Sequence, residues 1–145
     1  ISMRRLPAEL RERLVAADDA RCCYCHTTTA NTGQPMTLDH IVPESQGGMT
    51  TFDNLCLACR RCNEFKGKTT TTIDPLTGER VPIFHPRAQK WSEHFAWDAS
   101  ATHLIGLTAI GRATIVALNM NNEVMVDARR RWVSTGWHPP ASSGT

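Results

Sequence analysis

Residues 22–68 read CCYCHTTTANTGQPMTLDHIVPESQGGMTTFDNLCLACRRCNEFKGK, and the fold is decided by how its two ends answer each other. Cys22 with Cys25 and Cys59 with Cys62 share the C-x-x-C spacing of a zinc knuckle. Two such knuckles supply four thiolates, which close a tetrahedral Zn²⁺ shell. A closed shell cannot activate water, so this zinc is expected to be structural and to staple the first part of the stretch to its last helix. Cys23 and Cys56 are left over. A disulfide framework is the alternative, but it suits oxidising compartments and chains without a core.

Between the knuckles stand residues that zinc does not explain: Asp39-His40, Asn54, and then Asn63 and Lys66 just past the last cysteine. They offer oxygen ligands and one titratable base. A hard cation such as Mg²⁺ or Mn²⁺ accepts carboxylate, amide and phosphate oxygens and is poorly matched to thiolate, so a second metal of different character is implied. Taken singly, each residue also has an ordinary reading: a hydrogen-bonded turn, a cap, a solvated lysine.

Working outward, Leu6, Leu10 and Leu14 recur on one face among Arg and Glu, with Pro7 suited to a first turn, which predicts a helix over Leu6 to Ala20 packed under the zinc site. Thr27 to Gln34 reads as a turn-rich loop, and Met36 to Val42 as a short strand ended by Pro43. Neighbouring strand residues face opposite ways, so Asp39 and His40 serve one site only if the strand ends, twists or bulges there. Gly47 and Gly48 mark a turn, and a helix is expected from about Arg61 to Gly67.

The ordered set C-x-x-C, L-D-H-I-V-P, G-G, D-N-L and C-R-R-C-N-x-x-K resembles the core of the HNH nucleases. The resemblance covers about a third of the chain and implies an α+β fold built on a ββα-metal unit, a two-stranded hairpin facing a helix with the catalytic cation between them. It further implies that Asp39 and Asn63 hold that cation, that His40 is the general base, and that Asn54 orients His40 through its side-chain or backbone oxygen. A histidine titrates near about 6.5, which suits a base at neutral pH once its ring is fixed. Lys66, one helical turn beyond Asn63, is expected to touch phosphate or a metal-bound water, and Arg60, Arg61 and Lys68 to clamp a nucleic-acid backbone without reading its sequence. Asn63 stands where the family's name has its final histidine. An amide oxygen also suits Mg²⁺ or Mn²⁺, though less so softer metals such as Ni²⁺.

The expected activity is therefore metal-dependent hydrolysis of phosphodiester bonds in DNA, double-stranded by preference. A non-catalytic zinc module binding nucleic acid or protein, or a nuclease active only within a larger assembly, stands as the alternative, and a homodimer is left open. The formal charge of +2 falls to about zero once four thiolates and one zinc are counted, so attraction to phosphate must come from local patches such as 59–68.

The organisation expected is an HNH core with its N-terminal helix over 1–68, an extension packed on it over 69–138, and a small polar tail, Pro139 to Thr145, without order. Residues 69–72 and 75–78 read as a connector. Pro86 to His94 is expected to be a short helix, Phe95 to Leu107 a hairpin turning near Ala99 to Thr102, and Thr108 the cap of a helix carrying Ile115, Val116, Leu118 and Met120. A loop at Asn119 to Asn122 leads to a last helix through Val124, Val126, Ala128, Trp132 and Val133. The stretch 84–97 resembles an extension of some bacterial HNH proteins. Its His85, Arg87, Trp91, His94, Phe95 and Trp97 read either as a stacking surface for nucleic acid or, more in keeping with how tryptophan is used, as core. With 145 residues, 41% of them hydrophobic, no run able to span a bilayer and no secretion signal, the reading is one compact cytoplasmic unit, although the first residue is Ile1 rather than Met.

Overall fold

The computed structural model describes residues 3–141. Helix α1 (Ala8–Ala17) begins directly after Pro7 and ends three residues earlier than expected, because Asp19 and Ala20 turn the chain through the left-handed region (φ 53° and 52°). Thr29–Thr32 forms one helical turn, α2, where a loop was expected. Thr28 caps it by accepting from the Asn31 backbone N–H, and Gly33 at φ 70° ends it.

Strands β1 (Thr37–His40) and β2 (Leu55–Ala58) pair antiparallel, with Asp39 opposite Cys56 and His40 opposite Leu55. Helix α3 (Arg60–Lys66) follows β2 at once, started by Cys59, whose Sγ accepts from the Cys62 backbone N–H. This is the ββα unit. One face of its hairpin is sealed by α1 through Leu6, Leu14, Leu38, Leu55 and Leu57. Full burial of a leucine such as Leu14 contributes about 2 kcal/mol. Alternation along β1 then sends Asp39 to the opposite face, which is also covered.

Beyond α3, the supposed connector is an antiparallel hairpin, β3 (Thr71–Ile73) with β4 (Arg80–Pro82). Neither strand carries an alternating apolar face, which is why the sequence pattern does not show it. Its turn is tied by the Asp74 carboxylate, which accepts from the Leu76 N–H and the Thr77 hydroxyl and pairs with Arg112 at 2.8 Å. The helix expected over Pro86 to His94 is confined to α4 (Trp91–His94). Ahead of it, His85 Nδ1 accepts from the backbone N–H of Arg87 and Ala88 and shapes a turn.

The hairpin β5 (Phe95–Trp97) with β6 (Leu104–Gly106) and the Thr108 cap of α5 (Ala109–Ala117) match expectation; α5 ends before Leu118 and Met120, which were expected within it, and Asn122, expected as loop, caps α6 (Glu123–Ser134). Helix α5 lies so close to β6 and α4 that a Cβ on Gly111 would collide with the His94 carbonyl. One hydrophobic cluster runs from the Cys22–Cys25 knuckle through Tyr24, Phe84 and Phe95 to Leu118 and Met120, with Trp91 and Trp97 packed on it. The aromatic stretch is thus core. Arg87 is likewise committed, its guanidinium forking onto Asp18 at 2.7 and 3.1 Å and lying over the Phe52 ring. Of the tail, Pro139 to Ala141 are described, and 142–145 lie outside the described residues. Among the described residues no helix is long and apolar enough to cross a membrane.

Candidate active site and metal centre

The two knuckles close on each other as their spacing requires. The thiol sulfurs of Cys22, Cys25, Cys59 and Cys62 all lie within 4.8 Å of one another, a separation that fits four Zn–S bonds of roughly 2.3 Å in a tetrahedron. Backbone N–H groups already face the sulfurs, from Cys25 to Cys22 Sγ and from Cys62 to Cys59 Sγ. Hydrogen bonds from Cys22, Cys59 and Cys62 pull the Cys25 thiol well below the ordinary thiol range, whereas burial first of all pushes Cys22 up. A divalent metal resolves that conflict by taking all four as thiolates. Cys23 and Cys56 meet each other outside this cluster, the Cys23 thiol donating to Cys56 Sγ.

A second centre sits at the other end of the hairpin. Asp39, His40, Asn63 and Lys68 line one cleft of about 740 Å³, between the end of β1, the turn at Pro43–Ser45 and the outer face of α3. Asp39 and His40 are the last two residues of β1, and both line this cleft. Asn63 is anchored by its amide nitrogen, which donates to Thr37 Oγ1 (2.8 Å) and to the Leu38 carbonyl (3.1 Å). Its Oδ1 accepts no hydrogen bond among the described residues. Asp39 is only 3% exposed, with Oδ2 accepting from the Tyr24 hydroxyl at 2.7 Å. Burial pushes the Tyr24 phenol up, which keeps it a donor. An amide oxygen without a hydrogen bond and a carboxylate, with no ligating thiol among them, fit a hard cation in kind.

Two residues sit differently from expectation. Lys66 is 1% exposed, its ammonium 3.2 Å from both Asp39 oxygens and donating to the carbonyls of His40 and Ile41. A side chain spent in this way inside the protein does not reach phosphate, and its position fits an internal counter-charge for Asp39. Asn54 does not touch the His40 ring. Its amide holds both polar groups of Val42 and the Met49 carbonyl, and its own carbonyl accepts from Ile41, so it pins the loop that follows β1. Gly48 is pressed into the same corner, where a Cβ would run into the Val42 carbonyl and the Asn54 amide. The ring is held instead by Thr50, whose Oγ1 is 3.0 Å from His40 Nε2, with Glu44 at 3.6 Å. Nothing in the sequence singles Thr50 out from its many threonine neighbours.

The remaining cations divide. Arg60 is exposed and pairs with Glu64 at 3.2 Å, and Lys68 is exposed at the rim of the cleft. Arg61 is half-buried with its guanidinium over the Phe65 ring.

Comparison with known proteins agrees with this geometry. Residues 22–69 match the family model described as HNH endonuclease. The chain is similar to the CRISPR-associated endonuclease Cas9 of Corynebacterium diphtheriae, 38% identical over 69 residues that make up 43% of this chain and 6% of that protein. This chain therefore spans only a small part of the length of that curated relative. No solved structure matches it significantly. The stretch matched, residues 22–69, contains the four cysteines, the hairpin β1–β2 and helix α3, and is thus similar to an HNH endonuclease domain.

Proposed function

We propose that this chain is a metal-dependent endonuclease that hydrolyses phosphodiester bonds in DNA, with His40 as general base. The observation that carries the reading is the convergence of His40, Asp39 and Asn63 on one cleft, with the histidine ring fixed from behind by Thr50. When Nε2–H donates to Thr50 Oγ1, the neutral ring keeps its lone pair on Nδ1, which has no hydrogen-bond partner among the described residues. That nitrogen takes the proton from the attacking water. Asp39 and Asn63 would hold Mg²⁺ or Mn²⁺, which when bound supplies charge stabilisation for the phosphate and the leaving oxygen. Asn54 and Gly48 keep the loop from Val42 to Thr50 in the shape that presents the ring. Arg60 and Lys68, both exposed, are available to phosphates on either side of the scissile bond. The match to a small fraction of a much longer endonuclease also supports a reading in which the domain works inside a larger assembly.

The test is nicking of supercoiled plasmid by the purified zinc protein with Mg²⁺ or Mn²⁺, run beside EDTA and His40→Ala. Cleavage that EDTA abolishes and His40→Ala lowers by about 10²–10⁴-fold is expected for a lost general base. Intact plasmid under all conditions, with zinc still bound, would overturn the free-standing nuclease.

A further inference from the structure

Two arginines stand next to the four-cysteine cluster without an acidic partner among the described residues. Arg129, on α6, is 0% exposed. Its terminal nitrogens donate to the carbonyls of Thr102 and Met120 and to the Asn121 side chain, all of them neutral acceptors. Its Nε–H is buried with no hydrogen-bond partner. Arg61, on α3 between the two cysteines of the second knuckle, repeats the pattern: its Nε is also buried and also lacks a partner. Among the described residues neither guanidinium forms an ion pair with a carboxylate. Both line the same void of about 10 Å³ as Cys25, Cys59 and Cys62.

A buried, unpaired guanidinium is costly, and an unsatisfied buried N–H adds to the cost. Two of them beside one void call for an anion there. The cluster provides it: zinc held by four thiolates keeps a net charge of about −2. Two arginines balance that charge. We infer that Arg61 and Arg129 belong to the metal centre, neutralising the zinc tetrathiolate and offering Nε–H groups to its sulfurs. Burial pushes the Arg129 guanidinium below its ordinary value, and the charge of the four cysteines works against that push. The assignment takes Arg61 away from the nucleic-acid surface. It also gives α6 a task at the zinc: the first knuckle, the second knuckle and the C-terminal helix meet at one ion, so the HNH core and the segment after it share a staple.

The inference is tested on the full chain by measuring zinc content, then zinc affinity by chelator competition, for native protein, Arg61→Met, Arg129→Met and the double variant. Arg129→Lys and Val126→Ala serve as references. Loss of a group that supports metal ligands from behind weakens binding by about 10–100-fold, so each Met variant is expected to fall in that range and the double variant to fall further. Arg129→Lys keeps the charge and is expected to lie between native and Arg129→Met. Val126→Ala, a cavity on the same helix, is expected to lower the unfolding midpoint and leave zinc affinity as in native protein. If Arg129→Met does not fold, Arg61→Met on the half-exposed position decides, together with a spectroscopic signature in native protein. In ¹¹³Cd-substituted protein the two arginine Nε–H protons are expected to show scalar coupling to the metal across N–H···S bonds. Met variants that bind zinc as native does, or a Val126→Ala loss equal to that of Arg129→Met, would overturn the assignment. Native protein without zinc would overturn the metal centre itself, and the two results are told apart by the first measurement.

Discussion

Replacing Lys66 with methionine removes an ammonium that sits 3.2 Å from both oxygens of Asp39 and also serves the carbonyls of His40 and Ile41. Both partners are buried, Lys66 at 1% exposure and Asp39 at 3%. Breaking a buried pair from one side strands the other charge, which costs about 3–5 kcal/mol, and the two carbonyls that lose a donor add to it. Methionine fills most of the lysine's volume, so a cavity adds little. Against a total stability of roughly 5–15 kcal/mol, Lys66→Met is therefore expected to shift urea unfolding of the zinc protein by several kcal/mol at unchanged m-value. Adding Asp39→Asn to Lys66→Met removes the stranded charge while leaving an oxygen for Tyr24 to donate to, and should recover part of the loss. The assay is urea denaturation followed by far-UV circular dichroism with free zinc held constant, and the coupling energy of the double cycle is the quantity read. A different pattern would refute the reasoning. If Lys66→Met unfolds within about 1 kcal/mol of native but binds DNA more weakly, with a shallower salt dependence, the lysine lies in the cleft and contacts phosphate.

Two further perturbations test the scaffold around the cleft. Asn54→Ala deletes three hydrogen bonds to Val42 and Met49, and is expected to cost about 2 kcal/mol and to speed hydrogen exchange over residues 42–50 without changing zinc content. Burial above all, and then the charges of Arg87 and Lys66, hold the His85 imidazole below its ordinary value. The folded protein therefore resists a proton that the unfolded chain accepts, so the stability contributed by neutral His85 is present above about pH 6.5 and fades as pH falls below it. His85→Asn, whose side-chain oxygen can accept from the same backbone N–H groups, should flatten the fall in unfolding midpoint between pH 7 and pH 5. An unchanged slope would remove His85 from that role.

What could be read in the sequence was whatever is local or chemically singular. The knuckles declare themselves because two cysteines at a fixed spacing have few other uses, α5 because Thr108 stands as a cap before it, and α6 because of its apolar-patterned run. The hairpin β3–β4 escaped notice because each strand is three residues long with only its central residue, Thr72 or Val81, half-buried, and because the Asp74 that ties its turn has its partner Arg112 38 positions away. Lys66 was misplaced for a related reason: a lysine on a short, charged helix reads as solvated unless one knows that β1 turns a carboxylate toward it. Asn54 was assigned to the correct neighbourhood and the wrong neighbour, since a motif preserves a residue's type without saying which polar atom it meets. Thr50 lacked any signal of its own, being defined only by where the Gly47–Gly48 turn sets the chain down.

The adjacency of Cys62 and Asn63 joins the two centres. Consecutive helical residues point about 100° apart, so one peptide unit of α3 sends Cys62 to the zinc cluster and Asn63 to the cleft. Helix α3 is seven residues long with Arg60, Glu64 and Phe65 exposed, and Asn63 ties it to β1 through Thr37 and the Leu38 carbonyl. A helix of that length does not hold itself in water. Its orientation is set by the Cys59 and Cys62 sulfurs at one end and by Lys66 on Asp39 at the other, and Asn63 lies between these two fixings. A metal held by the four thiolates would thereby share, with the Thr37 and Leu38 hydrogen bonds, in setting where the Asn63 oxygen points, and so would any group that strengthens or weakens the grip of those thiolates.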